Sequence, residues 1–186
     1  MIWIVTAIPL VIIIWAVSKY NGLVTLRNQS VNGWKQIDVQ LKRRHDLIPN
    51  LVNTVKGVME FEQDTLQKVI EARNSAISAK GVADSATKED MLSSALTKLF
   101  ALVENYPNLK SNENVKQLQE ELTSTENKIS FARQFYNDIA TKFNTKQQVF
   151  PANMIASTFG FLPVELFEIQ VAAEREVPSV NLSLKK

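Results

Sequence analysis

At 186 residues the chain has the length of one domain with a single core. Its formal charge of +2 is too small to imply nucleic acid as a partner. The absence of cysteine excludes disulfides, thiolate nucleophiles, Cys-ligated zinc and lipid attachment to cysteine.

The first element is apolar. "MIWIVTAIPLVIIIWAV" carries no charged side chain before Lys19. Met1 to Ser18 covers about 27 Å as a helix, close to a hydrocarbon core of about 30 Å. Trp3, Trp15 and Tyr20 fall near the two expected interfaces. Residues 1–18 therefore read as a transmembrane anchor contacting the lipid bilayer. A cleaved signal peptide competes, because Ala16-Val17-Ser18 is small-x-small, but no positive n-region precedes the apolar run. A buried helix is the third reading. Lys19, Arg27 and Lys35 follow the span, so the positive-inside rule favours a single-pass cell-membrane protein with a cytoplasmic bundle.

Residues 19–149 read as a four-helix bundle. Leu23, Leu26, Trp34, Ile37 and Leu41 form one helical stripe, and Leu47, Leu51, Val55, Val58, Leu66, Val69 and Ile77 form a second. Between them stands "LKRRHDLIPN", which reads as a corner. Lys42, Arg43 and Arg44 suit a helix C-terminus, Asp46 suits the N-cap of the next helix, and Pro49 suits its first turn. The rival reading makes His45 a base or metal ligand. One histidine without HExxH, GxSxG or inward Glu-x-x-His pairs does not build such a site. Phosphate binding by "KRRH" competes with an ordinary solvated face.

The polar interval "SAKGVADSATKED" separates the second stripe from the third; Gly81 is suited to end a helix, and Thr87 with Asp90 resembles a capping pair. The third stripe runs from Met91 to Tyr106 and stops at Pro107. The fourth is a heptad seam: Val115, Leu118, Leu122, Thr125, Ile129, Ala132, Tyr136, Ile139 and Phe143. It serves either a coiled-coil dimer or, with three other amphipathic helices present, an intramolecular bundle. Glu120 and Glu121 fall between seam positions and read as solvated, while Arg133 and Asp138 lie off the seam and read as forming surface contacts.

Residues 150–186 form a short apolar helical segment and a polar tail. Pro151 and Pro163 both suit first turns of short helices. In an up-down-up-down bundle, the fourth helix returns Phe150 towards the level where the anchor emerges. Phe150, Met154, Phe159, Phe161 and Leu162 are the candidate membrane or partner contacts. The alternative is that they only close the open end of the core. No catalytic, cofactor-binding or metal site is expected.

The motifs "YNGLVTLRN", "NGWKQIDVQLKRRHDLIPNLVNTVKG", "LFALVENYPNLKSNENVKQLQEELTSTENKISFARQFYNDIATKFNT" and "FPANMIASTFGF" recur in order in the LemA family of bacterial membrane proteins, which the chain resembles from its anchor to about Phe161. Family members often carry an aromatic where His45 stands, and Val58 and Phe61 also depart from the usual pattern. The resemblance implies an all-α, single-span protein with an up-and-down antiparallel four-helix bundle and no established catalytic activity or cofactor. A family member takes part in building magnetosome membranes, which suggests membrane organisation by analogy. The reading is a non-enzymatic membrane-anchored scaffold or adaptor with an unidentified membrane protein as partner. Its alternative is a lipid-binding or accessory module for a membrane enzyme.

Overall fold

The computed structural model describes residues 2–59 and 62–168, and the side chains of residues 2–6 are outside that description. The Trp3 side chain, Phe61 and the polar tail at 169–186 therefore lie outside the description. The described chain is helical, in the order α1 (Ile2–Lys56), α2 (Gln63–Ile77), α3 (Gly81–Val103), α4 (Pro107–Lys110), α5 (Glu113–Gln148) and α6 (Ala152–Thr158). It rises through α1, returns through α2, rises through α3 and returns through α5.

The expected corner at Arg44–Leu47 is not there. Helix α1 runs unbroken for 55 residues and carries Pro49 in its interior, with Asp46 exposed on its surface. An interior proline has no N–H to donate to the carbonyl four residues back, here that of His45. Arg73 of α2 replaces the missing donor: its Nε gives a 2.7 Å hydrogen bond to the His45 carbonyl oxygen. The turn between the first two bundle helices falls instead near Gly57–Met59, where the Val58 and Met59 N–H groups bond the Val55 carbonyl.

The second boundary also moves. Helix α3 begins at Gly81 and absorbs most of the polar interval, so Thr87 and Asp90 are interior residues. Gly81 starts this helix rather than ending one, and its φ of +81° is a conformation that side chains oppose. Pro107 opens the one-turn α4. Asn112 then caps α5, its Oδ1 accepting from the Asn114 and Val115 N–H groups at 2.9 and 3.4 Å.

Helices α1 and α5 form the backbone of the molecule. Gly33 allows their close approach: a Cβ there would stand 3.4 Å from the Tyr136 Cα. The seam residues Val115, Leu122, Thr125, Ile129, Tyr136 and Phe143 are buried, while Leu118, Ala132 and Ile139 are half-buried and Ala140 takes the fully covered position beside Ile139. The core runs in three stretches along this pair. In the distal stretch, Ile48 to Val55 of α1 and Met59 of the following turn pack with α2, α3 and the start of α5. In the middle, Ile37 and Leu41 meet Ile129, Tyr136, Ala86 and Phe167. Nearest the anchor, Leu23 and Phe143 meet Ile155 and Ala156 of α6. The short α2 and α3 cover one end of the α1–α5 pair, and the C-terminal segment covers the other.

Candidate functional site

The end nearest the anchor is built by a chain reversal. After α5, Pro151 leads into α6, whose inner face is Ala152, Ile155 and Ala156. Gly160, with φ +65°, turns the chain back, and the Phe161 N–H closes the turn on the Ala156 carbonyl at 2.9 Å. From there the chain is extended, and Pro163 lies in that extended segment rather than opening a helix.

Of the candidate contacts, Phe161 is half-buried against the Leu23–Phe143 cluster, with its ring centroid 5.8 Å from that of Tyr20. The other four point outward: Phe150 is 79% exposed, Leu162 77%, Phe159 62% and Met154 61%. The Phe159 ring nonetheless meets Tyr20 at 4.7 Å, so this apolar group sits beside the first residues after the anchor. Lys19 lies one residue earlier, its ammonium 5.9 Å from the Trp15 ring. On the anchor itself, Ile8, Leu10 to Ile14 and Val17 are all exposed, and the helix is long and apolar enough to cross a membrane.

Residues 161–168 run back along α5 and are held by their main chain. Asn144 donates from Nδ2 to the Val164 carbonyl at 2.8 Å and accepts the Val164 N–H at 2.9 Å. Asn137, one heptad earlier, treats Phe167 in the same way, at 3.1 and 2.8 Å. Between them the Tyr136 hydroxyl donates to the Glu165 carbonyl at 2.6 Å. Burial, and secondarily the Glu165 charge, hold the Tyr136 phenol above its ordinary value. Phe167 is buried against Trp34 and Tyr136 and lies under the Arg133 guanidinium, 4.5 Å from its ring. Burial lowers the pKa of Arg133, against the raising effect of Glu126 and Asp90. Arg133 is thus half-buried and packs over the ring of this segment.

The basic run divides. Lys42 and Arg43 are exposed, and Arg43 pairs with Glu121 at 3.3 Å. Arg44 and His45 are buried. His45 Nε2 lies 2.6 Å from Glu89 Oε1, Arg44 Nη1 lies 3.3 Å from Glu89 Oε2, and Arg44 Nη2 donates to Ser93 at 2.7 Å. Glu126 approaches Arg44 at 3.0 Å, a Coulombic contact without hydrogen-bond alignment. Glu89 is 4% exposed, so its charge is compensated inside the fold. His45 is thereby committed to a cross-link between α1 and α3, and it also forms part of the wall of a cleft of about 500 Å³ with Trp34, Lys42 and Ser85. Among the described residues, no group of three or more His, Asp or Glu side chains is placed to hold a metal.

A further apolar surface lies between α1 and α5. Phe131 is 73% exposed, and with Val39, Phe135, Lys35 and Lys128 it lines an open groove of about 530 Å³. Along α1, Val39 stands about 30 Å beyond Lys19.

Comparison with known proteins agrees with this architecture. The LemA family model matches residues 33–182. Protein LemA of Metamycoplasma hominis is 28% identical over 171 residues, covering 90% of this chain and 75% of that protein. Magnetosome protein MamQ 2 of Paramagnetospirillum magneticum is 23% identical over 190 residues, covering 88% of this chain and 70% of that protein. Magnetosome protein MamQ of Magnetospirillum gryphiswaldense is 23% identical over 185 residues, with 86% and 68% covered. These relatives and the exposed apolar helix fit a membrane-associated protein. With most of its length matched, the chain belongs to the LemA family.

Proposed function

We propose that the protein is a non-enzymatic scaffold or adaptor, held in the cell membrane by residues 1–18, with its bundle on the cytoplasmic side and its tail resting in the lipid interface. The observation that carries this reading is the outward-facing set Phe150, Met154, Phe159 and Leu162, of which Phe159 packs its ring against Tyr20. Four large apolar side chains left in water at the mouth of a membrane anchor find cover in the headgroup boundary. Charge favours the same contact. Lys19, Arg27, Lys142 and Lys146 belong to this end of the α1–α5 pair, and no Asp or Glu occurs at 1–37 or 139–163. A basic residue near an anionic leaflet contributes about 1 kcal/mol. The groove at Phe131 is too far along α1 for lipid and suits the protein-facing side of an adaptor.

The lack of cysteine makes the test direct. Leu162→Cys and Phe131→Cys are each labelled with an environment-sensitive fluorophore in the full chain, reconstituted in phosphatidylcholine–phosphatidylglycerol vesicles containing quencher-bearing lipid. Quenching at position 162 but not at 131 is expected. Equal exposure of both labels to water refutes the interfacial reading.

A further inference from the structure

The contact between α5 and residues 164–167 has the form of a receptor with its ligand in place. Its polar part consists of five hydrogen bonds, and all five end on main-chain atoms. Asn137 and Asn144 are seven residues apart, about 10.5 Å along a helix. The amides they hold, at Val164 and Phe167, are three residues apart, about 10 Å in an extended chain. The two repeats match, so each asparagine meets one main-chain N–H and C=O pair. Among the side chains of the segment, Phe161, Val164 and Leu166 are half-buried and Phe167 is buried, while Leu162, Pro163 and Glu165 are exposed. The site therefore accepts an extended segment with apolar residues at these four positions. The amides do not register whether that segment belongs to the same chain.

We infer that this groove also takes residues 161–167 from a second copy of the chain, so that neighbouring copies exchange their C-terminal segments. Every copy carries both the groove and a complementary occupant, and the exchanged contact repeats the internal one. Exchange of an identical element is a low-cost route to association because only the connection changes. Here the connection is Gly160. It holds the reversal at φ +65°, and the turn is closed by the Gly160 N–H on the Ser157 carbonyl and the Phe161 N–H on the Ala156 carbonyl, so opening it rotates one glycine and breaks these two bonds. Once Gly160 straightens, the four residues from it to Val164 reach about 13 Å, so exchange takes place where a neighbour's Asn144 stands within that distance of Gly160. The internal arrangement has the advantage of tethering, which rising local concentration offsets. Co-anchoring in one bilayer supplies that concentration; this last step rests on the membrane reading above, while the groove and its occupant do not.

The test uses two full-length versions with different tags, expressed together. The donor carries the photoreactive residue p-benzoylphenylalanine at position 165, where the structure binds only the main chain. The acceptor carries none. A covalent donor–acceptor adduct is expected on irradiation. It falls about tenfold or more when the acceptor bears Asn137→Ala and Asn144→Ala, the loss expected for four ordinary hydrogen bonds. The same pair of substitutions in the donor raises the adduct, because the donor's own groove no longer retains its segment. An unchanged far-ultraviolet circular dichroism spectrum shows that the substituted chain still folds. Val164→Pro in the donor, which removes the N–H that Asn144 accepts, lowers the adduct and leaves the acceptor untouched. An adduct insensitive to the acceptor's asparagines, or irradiation products confined to single chains, overturns the inference. Loss of membrane insertion with adduct formation retained in detergent would refute the membrane reading alone.

Discussion

Arg73 and Pro49 should be energetically coupled across 24 residues of sequence. Pro49 leaves the His45 carbonyl without its helical donor, and Arg73 Nε supplies one at 2.7 Å. His45 is buried, so Arg73→Ala strands an acceptor where water does not replace the bond freely. The cost for such a group is about 1–3 kcal/mol. In a Pro49→Ala background the restored N–H of residue 49 bonds the same carbonyl, and removal of Arg73 then costs only its packing, about 0.5 kcal/mol. The double-mutant cycle should therefore show a coupling of about 1–2 kcal/mol. Urea unfolding of the four full-length proteins in detergent micelles, followed by far-ultraviolet circular dichroism, measures it. Pro49→Ala alone should also stabilise, since an interior proline costs about 3 kcal/mol relative to alanine before the loss of its half-buried ring is counted. If the two substitutions are additive within about 0.5 kcal/mol, the guanidinium is not replacing the missing helical donor.

Three other outcomes follow from the described contacts. Glu89→Ala leaves Arg44 and His45 facing each other without their shared carboxylate, and should destabilise the fold by about 3–5 kcal/mol in the same denaturant assay, with Glu89→Gln milder. Tyr136 holds its proton more tightly in the fold than its ordinary value of 10.0, so its stabilising contribution is intact below that pH and is lost as pH rises through the folded value. Trp34, which stacks near Tyr136 and Phe167, should report release of the segment in alkali by its fluorescence, and Tyr136→Phe should abolish that step. A reporter that is active only outside the cytoplasm, fused after Lys186, should remain silent; activity there reverses the orientation.

The sequence made the helices legible and misplaced two junctions, the first of them for a physical reason. A basic run followed by Asp-x-x-Pro resembles a helix end followed by a helix start, and each residue satisfied that local rule. The apolar spacing told otherwise. Ile37, Leu41, Ile48, Leu51, Val55 and Met59 keep the three-four rhythm if Arg44 and His45 are counted as inward positions. Helix α3 has the matching irregularity, with Glu89 on the stripe of Ala86, Leu92, Leu96 and Leu99. Opposite charges standing at inward positions of two stripes were the available signal for the buried cluster. The carbonyl freed by Pro49 was not recoverable locally, because its donor arrives from another helix. The asparagine pair left a fainter trace: Asn137 and Asn144 repeat by seven beside the seam. Their role becomes visible only when the chain that they hold has turned back at Gly160.

The two ends of the α1–α5 pair are covered by different kinds of contact, and this bears on how the molecule moves. At the distal end, α2 and α3 bring buried leucine and valine side chains, together with the Arg44–Glu89–His45 cross-link. Opening that end exposes the largest apolar cluster and an internal carboxylate, so it belongs with global unfolding. At the end nearest the anchor, the cover beyond Gly160 is a single extended segment. Its polar bonds come from three α5 side chains, and its fully buried side chain is Phe167. Releasing it uncovers Phe167 and the face of Trp34 and Tyr136, but the larger distal cluster stays closed, so a local opening there leaves the distal helices paired. The end with the weaker cover is also the one beside the membrane, where a neighbouring copy would stand at the same height. A segment that opens without unfolding its own bundle is the condition that exchange between copies requires.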